Sequence, residues 1–145
     1  EGIEVTVERR SDYLDRTGFY DRRKRGFGDF IDVEAMDVSR ILTPGQLLTR
    51  LPGTTLDGLG DPYFPRTRTF GPICYPMIVV DGITVRNDPQ PFEDSGYSRT
   101  DEFRNLVPRA NEISAIEVYR SSAQAPVEWK SSANNCGMIM IWTKR

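Results

Sequence analysis

Residues 136–144 read Cys-Gly-Met-Ile-Met-Ile-Trp-Thr-Lys, and Met138 to Trp142 run without a polar break. A short apolar run of this kind, with glycine before it and Thr-Lys after it, reads as a strand. A strand that is apolar on both faces must be covered on both, so it belongs inside a sheet with other elements above and below. Residues 113–120, Ile-Ser-Ala-Ile-Glu-Val-Tyr-Arg, give a second strand rich in β-branched and aromatic residues. The spacer between them, 121–135, is mostly small and polar, with Ala-Pro and Val-Glu-Trp at its middle. The rest of the chain must supply the cover for this pair.

A length of 145 residues suits a single domain, 1–145, large enough for a core. Apolar residues at 38% and charged residues at 28% fit a globular chain. No apolar run approaches the roughly 18–20 residues of a membrane-spanning helix, so no transmembrane segment of its own is expected. The chain opens on a strand-like segment rather than a signal peptide, as a mature, processed chain would. A formal net charge of -2 argues against nucleic acid as a partner. Histidine is absent, which removes the commonest general base and the commonest zinc ligand. No catalytic constellation, cofactor motif or metal-ligand set emerges from the remaining residues, so an enzyme is not expected.

The two cysteines, Cys74 and Cys136, each stand just before an expected buried strand, 77–81 and 138–143. If those strands are neighbours, the thiols meet at one end of the sheet. A disulfide is the preferred reading, with two buried free thiols as the alternative. A bond closing so long a loop would stabilise the fold by about 4 kcal/mol in the chain-entropy account. It would also place the chain in an oxidising compartment.

Residues 2–8 alternate Ile3, Val5 and Val7 against Glu4, Thr6 and Glu8, the pattern of a half-buried strand. Residues 9–32 carry Arg22, Arg23, Lys24 and Arg25 among glycines and aromatics. They read as a solvated loop pinned by its aromatics, with an anion site as the alternative. Asp32 would cap a short helix over 33–38. Thr43-Pro44 starts a second helix over 44–51 that buries Leu47, Leu48 and Leu51 and stops at Pro52-Gly53. Residues 57–73 form an irregular loop. Met-Ile-Val-Val-Asp-Gly-Ile-Thr-Val, 77–85, is a hairpin with Asp-Gly as its favoured two-residue turn. Residues 86–106 form a second long loop, functional or mobile by its length. Residues 107–112 read as a helical turn leading into the strand at 113.

Taken in order, these segments resemble the plug domain of TonB-dependent outer-membrane receptors. The pieces that carry the resemblance are Ile-Glu-Val-Thr near the start, Leu47-Leu48-Thr49-Arg50-Leu51-Pro52-Gly53, Val79-Val80-Asp81-Gly82-Ile83, Ile116-Glu117-Val118-Tyr119-Arg120, and the closing Gly-Met-Ile-Met-Ile-Trp-Thr-Lys. The resemblance implies an α+β fold, a plug-like domain with a mixed central sheet of four or five strands and short packed helices. It departs from the family's pattern where Ser121-Ser122-Ala123 replaces a usual Gly-Pro. With Glu1 first and Arg145 last, the expectation is of a plug-like domain without the barrel that would follow in a receptor and without a TonB-contacting segment before it.

A fold does not fix a function, and two expectations follow. In the first, the chain is a non-enzymatic periplasmic binding or structural module. It would be an accessory subunit, peripheral to a membrane of a Gram-negative-type envelope and docked on the periplasmic face of a membrane protein complex. Tyr63, Phe64, Phe70, Phe92, Tyr97 and Phe103 on the two long loops, with Arg22, Arg23, Lys24 and Arg25, are the candidate partner-binding residues, since aromatics and arginine dominate interface cores. In the second, the chain is a receptor plug that gates uptake of a ligand through a separate or removed barrel.

Overall fold

The computed structural model describes residues 10–41, 43–65, 73–91 and 102–145. The expected strand at 2–8 lies outside them. The central element is a five-stranded mixed sheet in the order β1-β6-β7-β4-β5. Its strands are β1 (Asp29–Asp32), β4 (Met77–Val80), β5 (Ile83–Arg86), β6 (Ile113–Tyr119) and β7 (Met138–Thr143), and β2 (Thr55–Leu56) and β3 (Pro62–Tyr63) form a separate two-stranded ribbon. The fold class is α+β, as expected.

β7 lies in the middle, antiparallel to β6 and parallel to β4. Its alternation divides the core. Met138, Met140 and Trp142 enter one apolar cluster, while Ile139 and Ile141 enter the other. β4 divides the same way, with Met77 and Val79 facing one side and Ile78 the other. This two-sided burial explains why β7 has no polar break. Truncating any of these side chains removes apolar contacts and opens a cavity, at about 2–5 kcal/mol for a large-to-alanine change.

On one face the cover comes from α3 (Pro44–Leu48), a 3-10 turn at Val33–Ala35 and α4 (Phe103–Leu106), through Leu47, Leu48, Val33 and Phe103. Thr43 and Pro44 start α3 as the sequence indicates, and the Thr43 amide donates to Gln46 Oε1 at 3.2 Å. The α-helix ends at Leu48 rather than 51, because the chain tightens into turns: the amides of Arg50 and Leu51 bond to Leu47 and Leu48 carbonyls, three residues back. Leu51 still packs on this cluster.

The other face is covered by α1 (Asp12–Thr17) and α2 (Phe19–Arg25). This corrects the loop expected over 9–32. Two of the glycines there, Gly18 and Gly26, are helix caps. Ser11 Oγ accepts from the Leu14 amide, and Asp12 and Asp15 sit in the first turn of α1. Gly18 ends α1 in a left-handed conformation, and Gly26 does the same for α2. Phe19 and Tyr20 of α2 and Leu14 of α1 are the residues buried against the sheet.

Asp81 and Gly82 join β4 to β5 with φ of 50° and 83°, the left-handed pair that a two-residue hairpin turn requires. Cys74 and Cys136 form a disulfide. It sits where the parallel strands β4 and β7 begin, with Met77 opposite Met138. We expect the air-oxidised protein to weigh one pair of hydrogens less than the reduced form. Reduction should lower urea-unfolding stability by up to about 4 kcal/mol. Two titratable thiols in the oxidised protein would contradict this.

Candidate functional site

β6 is buried along its whole length, yet it carries Glu117 at 0% exposure. Strand alternation places Glu117 on the same face as Ala115 and Tyr119, the face that α1 and α2 cover. A buried carboxylate must be answered by donors, and four arrive. Arg22 Nε and Nη2 donate to the two carboxylate oxygens at 2.7 and 2.8 Å. The Tyr119 hydroxyl donates at 2.7 Å and the Trp142 indole N–H at 2.6 Å. Arg22 Nη1 donates backward to the Thr17 carbonyl at 2.9 Å. That path crosses Gly18, where a Cβ would stand 2.7 Å from the same nitrogen, so glycine is required there for space as well as for its φ of 84°.

The bidentate pair and its hydrogen bonds settle the charges in the interior. Burial opposes the charge on Arg22, but the hydrogen bonds and charge of Glu117 outweigh it and hold the guanidinium above its ordinary pKa. Burial and the adjacent Glu117 charge push the Tyr119 phenol up, so it stays a donor.

The four consecutive cations are therefore not equivalent. Arg22 is committed to Glu117. Arg23 lies over the Phe19 and Tyr20 rings at 5.6 and 5.2 Å. Lys24 and Arg25 are exposed. Beyond Gly26 the chain turns toward β1 and leaves Phe27 70% exposed. Facing it is the loop after β6, where the Gln124 amide bonds to the Ser121 carbonyl and Gln124 Oε1 accepts from the Arg120 amide, both at 3.1 Å. That loop presents Val127 at 80% exposure.

Between Phe27 and this loop lies a recess of about 220 Å³. Tyr119, Ala125 and Pro126 are buried side chains that contribute to its lining, and Arg25 and Lys130 add exposed cations. Arg25 and Lys130 make no ion pair with another described residue. An apolar recess beside two exposed cations suits binding.

The remaining loop aromatics behave differently. Phe64 and Phe103 are core residues, at 7% and 1% exposure, which corrects their assignment to an exposed interface. Phe64 packs beside the Gly137 backbone, and the Arg120 guanidinium lies 5.9 Å from its ring centroid. Arg120 also bonds to Asp29 and to the Pro52 carbonyl. Phe103 begins α4, and its amide donates to Asp61 Oδ2 at 3.2 Å. Tyr63 is half-buried and meets Tyr75 edge-on. Phe70, Phe92 and Tyr97 lie outside the described residues.

This side is held by a second buried pair, Arg86 to Asp61 at 2.7 Å. Burial pushes the Asp61 carboxyl up, and Arg86 only partly offsets it. The Tyr75 hydroxyl donates to Asp57 Oδ2 at 2.6 Å. These partners pin the segments around 57–65 and 102–107 inward. Among the described residues no group of three or more potential ligands converges on a metal position, and no helix is long and apolar enough to cross a membrane.

A third polar knot ties the hairpin turn to the chain end. Asp81 Oδ1 accepts from the Tyr13 hydroxyl at 2.7 Å and the Thr143 amide at 2.9 Å, while Oδ2 accepts from the Thr143 hydroxyl at 2.7 Å and Arg145 at 3.3 Å. Burial, with the Asp81 hydrogen bond and charge, pushes the Tyr13 phenol up to about 12.

Comparison with protein families, curated proteins and solved structures finds no match to this chain.

Burial alone would raise the Asp81 carboxyl, but the bonds from Thr143, Tyr13 and Arg145 outweigh it and hold it below the ordinary aspartate range. A lowered folded pKa gives stability that is present above the unfolded pKa and is lost as pH falls through the folded one. Asp81→Asn should therefore cost about 1–3 kcal/mol at neutral pH, and the gap should narrow in acid. Chemical denaturation across pH checks this, and a gap independent of pH would contradict it.

Proposed function

We propose that this chain is a non-enzymatic binding module that docks on a membrane protein assembly. The carrying observation is the pair Phe27 and Val127, large apolar side chains standing in solvent on either side of a shaped recess. Such anchors, with arginine beside them, have the composition of an interface core. Phe27 follows Gly26, the cap of the helix that Arg22 ties to β6. The disulfide is compatible with an oxidising compartment outside the cytoplasm, and the periplasm of a Gram-negative-type envelope is the setting we propose. The chain would sit there as an accessory subunit, peripheral to the membrane.

A second reading rests on the ordered resemblance of residues 47–53, 79–83, 116–120 and 136–144 to receptor plugs. In it the chain would gate uptake of a ligand through a barrel. The two readings differ in what accompanies the chain from mildly solubilised membranes, a non-barrel assembly or an outer-membrane barrel.

Phe27→Ser changes an exposed residue and should leave the melting temperature unaltered. We expect it to weaken association with the co-purified assembly by about tenfold or more, read by titration of labelled chain. Association at wild-type strength would remove the recess from the docking surface.

A further inference from the structure

The chemistry of the recess narrows what it would take. We infer that it receives an acidic segment of a partner protein, with one large apolar side chain seated between Phe27 and Val127 and flanking carboxylates on Arg25 and Lys130. This rests on the docking reading above and specifies the partner.

Size comes first. At about 220 Å³ the recess is smaller than the pockets, about 300 Å³ and upward, that enclose drug-sized ligands and cofactors. It fits one side chain projecting from a segment that itself stays outside. Charge comes second. The Arg22 charge is answered inside by Glu117, whereas Arg25 and Lys130 are exposed at the recess without an ion-pair partner among the described residues. The nearby acids lie off the lining. Asp21 is exposed on α2, and Glu128, itself half exposed, points toward Arg22 at 3.8 Å. Carboxylates on the incoming segment would therefore gain two unanswered cations, while a basic segment would be repelled.

An anionic membrane surface is the other acidic partner to weigh. Surface recognition of that kind draws on clusters of about 4–8 exposed Lys or Arg. Here Arg22 is buried and Arg23 lies on aromatic rings, so of the described cations in the basic run and the recess lining Lys24, Arg25 and Lys130 are exposed. A shaped apolar recess with few cations favours a protein segment.

The test titrates the full, disulfide-bonded chain with short fluorescent peptides. One has a central tryptophan flanked by aspartates, one has the tryptophan flanked by lysines, and one has aspartates around a central glycine. Phosphatidylserine vesicles are titrated in parallel. We expect binding of the aspartate–tryptophan peptide only, weakening as salt is added. Phe27→Ser should weaken it by about tenfold. The charge-reversed Arg25→Glu/Lys130→Glu variant should lose that peptide and gain the lysine-flanked one. Equal binding of all three peptides, binding unchanged by these exposed substitutions, or binding to vesicles alone would overturn the inference. If Phe27→Ser abolishes docking to the native assembly while no peptide preference exists, the docking reading stands and the acidic partner falls. If docking survives Phe27→Ser at wild-type strength, the recess is not the docking surface and the acidic-segment inference falls with it.

Discussion

A carboxylate closed off from water on the inner face of β6 dictates how one side of this molecule is built. Glu117 is fully buried, and removing such a group from water costs several kcal/mol unless donors replace its hydration. Arg22, Tyr119 and Trp142 supply four hydrogen bonds from three elements, α2, β6 and β7. An arginine that must reach Glu117 fixes where α2 lies on the sheet. That placement fixes Gly18, which lets Arg22 fold back to Thr17, and Gly26, beyond which Phe27 emerges. The exposed anchor of the recess is thus downstream of a buried ion pair. Apolar packing by Phe19 and Tyr20 holds α2 down, but it is less selective than a bidentate bond about where the helix sits.

The opposite face follows the same logic with different residues. Asp61 and Arg86 pair in the interior, and Asp61 also accepts from the start of α4. Back on the face that α1 covers, Asp81 gathers the hairpin turn, α1 and the last residues of the sequence. Each knot ties segments far apart in sequence, where apolar contact alone would leave register loosely defined. The disulfide adds a covalent tie at the end of the sheet where β4 and β7 begin. Phe27 and Val127 stand in solvent on the connections that flank this sheet, beside the recess.

Much of the sheet was legible in the sequence because its strands obey local rules. β7 has no polar break, β6 is β-branched and aromatic, and Asp-Gly marks the one hairpin turn among the sheet's strands. The cysteines stand at equivalent places before neighbouring strands, so their pairing followed from topology. What was hidden depended on partners distant in sequence. The glycines at 18 and 26 suggested a loop because a cap and a loop share the same residue. Phe64 and Phe103 looked available because their segments are polar, and only the pairing of Asp61 with Arg86 and the position of Arg120 show that these segments fold inward. Glu117 offered a signal that went unused. A lone acid at an inward position of an apolar strand demands a buried cation, and the four-residue basic run 95 positions earlier contained it. Phe27 and Val127 gave no comparable signal, since exposure of a single apolar residue is decided by the surface around it.

The most direct measurement is amide hydrogen exchange on Glu117→Gln, which keeps the shape of the side chain and removes its charge. The variant leaves Arg22 without its buried counter-charge, a loss of about 3–5 kcal/mol for a pair of this kind. If the pair places α2, protection should fall first and most steeply across Phe19–Arg25 and the 121–130 loop, while β7 and β4 exchange only with global unfolding. A uniform loss across the sheet, or undiminished protection of α2, would show that packing alone positions the helix and that the recess does not depend on Glu117.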